Sequence, residues 1–96
     1  FTAGAETPVS VINELYPKLL ASKHVFTHLE PLDALVARAT KLASVPADKR
    51  GPLWGIPCAA KDNVDVAGMP TTAACLAFKY MPSASAPAVA ALEEAG

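Results

Sequence analysis

Five of the twelve residues from Pro46 to Pro57 are proline or glycine (Pro46, Gly51, Pro52, Gly55 and Pro57), and no long helix survives that spacing. The chain therefore divides near Val45 into a first half free to be helical and a second half that must turn repeatedly. In the first half, Thr7 can accept a backbone N–H as N-cap, and Pro8 stands where a missing N–H costs nothing. Val9, Ile12, Leu15, Leu19 and Leu20 then form an apolar stripe at helical spacing, interrupted by Pro17, where the helix is expected to kink rather than restart. A second helix is predicted from about Pro31 to Ala43, because Leu32, Leu35, Val36, Ala39 and Leu42 recur at three and four positions.

In the second half, Ile56 to Lys61 is the best strand candidate, followed by a turn around Gly68 to Pro70. Pro87 to Ala95 is Ala-rich and predicts a last helix, capped by Ser85 and closed at Gly96 in a left-handed conformation. One or two short strands cannot hold a sheet alone, so an α/β fold is implied whose remaining strands follow Gly96. Hydrophobic residues make up 52% of the 96 residues and charged ones 18%, an apolar excess for so short a chain. Together with a start at Phe1 and an end at Gly96 directly after a helix, that excess leads us to expect a fragment with missing neighbours.

Eight Lys and Arg stand against nine Asp and Glu, a net charge of -1 with no basic face, which argues against a nucleic-acid partner. Phe1 to Pro8 carries no basic residue and leads into no apolar run, so no secretory leader is expected. Val66 to Phe78, the longest uncharged stretch, is too short to span a bilayer and is broken by Gly68 and Pro70. Cys58 and Cys75 form no CxxC motif and read as two reduced thiols, consistent with a cytoplasmic protein.

Lys61 ends the apolar run from Ile56 and is followed by Asp62, Asn63 and Asp65. A lysine at the end of a buried strand can shuttle a proton only when neutral. Burial beside Ala59 and Ala60 favours the neutral amine, carboxylates at Asp62 or Asp65 favour the charged form, and the sequence leaves that balance open. The bland alternative is an exposed lysine paired with Asp62.

Three words, Gly51-Pro-Leu-Trp-Gly-Ile-Pro57, Ala60-Lys-Asp-Asn63 and Val66-Ala-Gly-Met-Pro-Thr-Thr72, stand in the order seen in the amidase signature family, which this chain resembles. The continuation Thr71-Thr-Ala-Ala-Cys75, with Ala77, Phe78 and Tyr80, is similar to allophanate hydrolases, including the hydrolase portion of urea amidolyases. The resemblance implies an α/β/α sandwich around a mixed β-sheet, with residues 1–50 as an N-terminal helical region and 51–96 as the start of the core. It further implies a serine nucleophile, a second serine in a cis peptide, and Lys61 as the catalytic lysine. Both serines are expected after Gly96, because Ser83 and Ser85 lack the neighbouring glycines of an oxyanion hole.

On that resemblance the full-length enzyme is expected to be a homodimer that hydrolyses allophanate (urea-1-carboxylate) to ammonia and carbon dioxide. Its substrate would be a small amide or urea derivative, with no metal and no organic cofactor, and the fragment alone is expected to be inactive. A broader amidase, the glutaminase-like subunit of a tRNA amidotransferase and a non-catalytic scaffold module are the alternatives. Leu76 for a usual proline, Met69 for a usual leucine, and the small Cys58 and Ala60 depart from the allophanate hydrolase pattern as changes of volume.

Other chemistry-bearing residues have plainer readings. His24 and His28, with Glu30 near, have a helical metal spacing but no third ligand and no HExxH, so surface histidines are expected. Trp54 is expected to anchor a loop rather than line a substrate pocket. Cys75 reads as an inert packed thiol, and Thr71 and Thr72 as helix caps rather than as residues orienting an active-site loop.

Overall fold

The computed structural model describes residues 4–96; Phe1–Ala3, part of the stretch read above for a leader, lie outside the described residues. The chain forms two compact units. One runs to Pro57 and takes in Ala95–Gly96, and the other is Cys58–Glu94.

The first unit is built on two helices, α1 (Pro8–Ala21) and α2 (Leu32–Ala43), which pack against each other. Thr7 caps α1 as expected, through a reciprocal pair: its Oγ1 accepts the Ser10 N–H at 3.0 Å, and Ser10 Oγ accepts the Thr7 N–H at 2.9 Å. Pro8 is fully buried at the start of the helix. Pro17 lies inside α1, which continues to Ala21 rather than restarting there. Ile12, Leu15 and Leu19 are half-buried, whereas Leu20, grouped with them in sequence, is 64% exposed. One position past Leu19 is rotated by about 100° around the helix, and that turns Leu20 off the shared face.

α2 starts with no side-chain cap; the Pro31 carbonyl accepts the Leu35 N–H at 3.1 Å, and Asp33 in the first turn accepts the Ala34 N–H. Ala39 is buried at 4% exposure, where its small side chain suits a close helix–helix approach. The Tyr16 hydroxyl donates to the Glu30 carbonyl at 3.1 Å and ties α1 to the segment entering α2.

Beyond a 3₁₀ turn at Ala47–Lys49, the loop is held by Trp54, whose indole N–H donates to the Leu42 carbonyl at 2.8 Å while Arg50 stacks 3.8 Å from the ring centroid. Trp54 thus anchors the loop to the C-terminal end of α2, as expected. Leu53 N–H donates to Ala95 O and Gly55 N–H to Gly96 O, both at 3.0 Å. The approach requires glycine twice. A Cβ on Gly51 would lie 2.1 Å from the Ala95 oxygen, and one on Gly96, at φ +109°, would lie 2.6 Å from the Trp54 Cα.

The expected strand Ile56–Lys61 is not formed. A strand exists by pairing its N–H and C=O groups with a neighbour, no partner strand is present among the described residues, and Pro57 has no N–H to offer. Among the described residues the pairing is one antiparallel bridge, Thr71 with Tyr80, in the second unit. That unit otherwise consists of turns, a 3₁₀ turn at Leu76–Phe78, and all but the last residue of α3 (Pro87–Ala95), whose Val89 is buried. Ser85, expected to cap α3, accepts the Ala67 N–H at 2.9 Å, while the Asp65 carbonyl accepts the Ala86 N–H.

Apolar burial is thin among the described residues. Ala39 and Val89 are the buried hydrophobic side chains of the core, while Val25, Ile56, Leu76, Phe78 and Met81 are 56–83% exposed.

Candidate functional site

Lys61 stands at the start of a tight turn in the second unit: its carbonyl accepts the Val64 N–H at 2.9 Å, and its side chain is exposed. The next residue, Asp62, reaches a segment ten positions on. Its Oδ1 accepts the Thr72 N–H at 2.8 Å, its Oδ2 accepts the Thr72 hydroxyl in a short bond, and its carbonyl accepts the Ala73 N–H at 2.9 Å. Thr72 is 8% exposed, so this charge-assisted pair is shielded from competing water.

Asp65 forms a second clamp beside the first. Its Oδ1 accepts the Thr71 hydroxyl at 2.9 Å and the Tyr80 hydroxyl in a short bond, and Thr71 is 2% exposed. The Thr71–Tyr80 bridge, with N···O distances of 2.9 and 3.1 Å, brings the two hydroxyls to the same carboxylate. Neither threonine caps a helix: both side chains donate to aspartates, because the chain at Thr71–Cys75 is a turn and the following 3₁₀ turn has no side-chain cap.

That turn is unusual in its backbone. Cys75 N–H donates to the Thr72 carbonyl at 2.8 Å, and the two residues between, Ala73 and Ala74, have φ of +49° and +61°. Two consecutive left-handed residues are ordinarily glycine or asparagine, since a Cβ costs roughly 1–2 kcal/mol each in this conformation. Here the turn is held by its neighbours, with Ala74 N–H also 3.2 Å from Thr72 Oγ1. Cys75, expected to be packed, is exposed, because the residues around it are themselves exposed and nothing among the described residues covers them.

His24 and His28 lie in the loop between α1 and α2, so helical spacing does not bring them to one face; His28 Nε2 is 2.6 Å from Glu30 Oε1. No group of three metal-ligating side chains occurs among the described residues. No helix among them is long and apolar enough to cross a membrane. Of the residues singled out in sequence, the structure gathers Asp62, Asp65, Thr71 and Thr72 around the turn that follows Lys61. The pairing of each aspartate with its threonine had no periodic signal, and Tyr80 entered only through a family word.

Tyr80 yields a test of the second clamp. Its hydroxyl is held above the ordinary phenol value, first by the hydrogen bond to Asp65, then by desolvation and the Asp65 charge, with Thr71 opposing. A raised value means that the stability from this bond is present below the ordinary tyrosine range and is lost as pH rises through the raised one. In an alkaline absorbance titration of the full-length protein, read against Tyr80→Phe, tyrosinate from Tyr80 is expected to form above the free-tyrosine range. Asp65→Asn is expected to bring it down, and an unchanged curve in that variant would remove the clamp.

A family model described as Amidase matches residues 12–96. Urea amidolyase from Lachancea kluyveri is 49% identical over 65 residues, covering 67% of this chain and 4% of that protein. A glutamyl-tRNA(Gln) amidotransferase subunit from Lysinibacillus sphaericus is 41% identical over 61 residues, 62% of this chain and 12% of that protein. Among solved structures, selenomethionine-substituted Kluyveromyces lactis allophanate hydrolase superposes with a TM-score of 0.78 at 32% identity, over 99% of this chain and 16% of that one. The chain thus spans a small part of the length of each of these proteins.

Proposed function

Because the chain belongs to the amidase family, we propose that the protein carrying it hydrolyses an amide C–N bond, with allophanate as substrate and ammonia and carbon dioxide as products. The observation that carries the substrate is the higher identity to a urea amidolyase than to the amidotransferase. The Thr71 to Tyr80 segment and the likeness to an allophanate hydrolase agree with it. In this reading the two units belong to an α/β/α sandwich whose mixed sheet is completed by further chain.

The proposed chemistry uses two serines supplied after Gly96, together with Lys61. Neutral Lys61 accepts a proton through the bridging serine as the nucleophilic serine Oγ forms its bond to the amide carbon. Collapse of the tetrahedral intermediate breaks the C–N bond, and the proton returns from Lys61 to the leaving nitrogen. Water then attacks the acyl-serine ester, passing a proton to Lys61 that returns to the departing serine Oγ, and the N-carboxylated carbamate released breaks down to carbon dioxide and ammonia. Lys61 stands at a turn with an exposed side chain, open to such serines.

Ammonia release by the purified full-length protein tests the reading. Allophanate is expected to be turned over much faster than simple aliphatic or aromatic amides. The reverse preference would favour a broader amidase, and release from neither would favour a non-catalytic module.

A further inference from the structure

Lys61 has a mobile side-chain type on a loop, with no strand ladder to fix its backbone, yet a proton acceptor must be held to within a fraction of an ångström of its partner. The structure fixes the backbone there by other means. The Lys61 carbonyl is taken by Val64 N–H, and on the other side of the same peptide Asp62 is bound through both carboxylate oxygens and its own carbonyl to Thr72 and Ala73.

The grip is built rather than incidental on two independent grounds. Thr72 is buried where few other described residues are, and the receiving turn keeps Ala73 and Ala74 left-handed, a strained state that persists only where surroundings enforce it. Immediately before that left-handed pair turns the chain, the Thr72 side chain, the Thr72 N–H and the Ala73 N–H all meet Asp62.

We infer that Asp62 and Thr72 are positioning residues for Lys61: neither meets the substrate, and the hydroxyl–carboxylate bond between them holds the peptide from which the lysine projects. The inference rests on the reading of Lys61 as proton acceptor. It assigns Thr72 a role in turnover that a threonine serving only to cap or pack would not have.

The test is steady-state kinetics on the full-length enzyme with the amide it turns over best, rates being expressed per folded protein. Thr72→Val keeps the shape and the N–H but removes the hydroxyl. It is expected to lower kcat about 100-fold, the scale of a small misplacement, with KM unchanged. Thr72→Ser, which restores the hydroxyl, is expected to recover most of the rate. Asp62→Ala, which also deletes the acceptor of the Thr72 N–H, is expected to lower kcat at least as far as Thr72→Val, and the double variant to be no worse than Asp62→Ala, since the hydroxyl–carboxylate bond is already absent there.

Thr72→Ala gives the same reading if Thr72→Val fails to fold. An unchanged kcat in the hydroxyl-free variant, a loss confined to KM, or failure of serine to rescue would overturn the inference. Lys61→Ala run alongside separates the two claims. If it is inactive while Thr72→Val is normal, the clamp alone is wrong; if it is active, Lys61 is not the proton acceptor and the clamp has nothing to position.

Discussion

Lys61→Arg in the full-length enzyme is expected to fold normally and to lose roughly 10²–10⁴-fold in turnover, the contribution of a positioned proton acceptor. Folding survives because the Lys61 side chain is exposed and the turn uses its backbone carbonyl, which arginine also has, so stability moves by less than about 0.5 kcal/mol. Turnover does not survive, because guanidinium remains charged at any working pH and cannot accept the serine proton. Lys61→Ala is expected to be as inactive. If Lys61 served only as a surface cation, arginine would preserve that role, and near-parental turnover in Lys61→Arg would remove the mechanism outright. The measurement is kcat by ammonia release, with circular dichroism to show that the fold is kept.

The 96-residue chain expressed by itself is expected to behave as an incomplete core: it binds a hydrophobic dye, associates, and melts without a cooperative transition. Among the described residues the buried hydrophobic side chains, Ala39 and Val89, cannot offset the entropy of ordering this much backbone. The side chains that would form a larger core are open instead, with Leu76 at 83%, Val25 at 65% and Met81 at 61% exposure. Surface of that kind promotes association. A soluble monomer with one sharp, reversible unfolding transition would show that the described contacts suffice.

Helices are legible in the sequence because their signals are local. Thr7 and Pro8 mark the start of α1, the three-and-four spacing from Leu32 marks α2, and Gly96 marks the end of α3. The strand is misread because apolar content alone cannot supply a partner, and Ile56–Lys61 has none among the described residues. Thr71 and Thr72 are misread for a related reason. A threonine before small apolar residues looks like a cap, and only three-dimensional proximity shows that Asp62 and Asp65 are its acceptors. Leu20 fails by one position of helical phase, and Cys75 by the assumption that apolar neighbours imply cover. Lys61 draws notice at the end of an apolar run, but its proposed role as proton acceptor rests on a word shared with a family rather than on a physical pattern.

The backbone bonds from Leu53 to Ala95 and from Gly55 to Gly96 impose an order on events at the ribosome. α1 and α2 are close in sequence and can pair soon after both have emerged. The Leu53–Gly55 segment must wait for about 40 further residues, a delay of a few seconds at ordinary rates of synthesis. During that interval Gly51 and Gly55 sit beside a vacant track, so the first unit is completed last, by the residues made after the whole of the second.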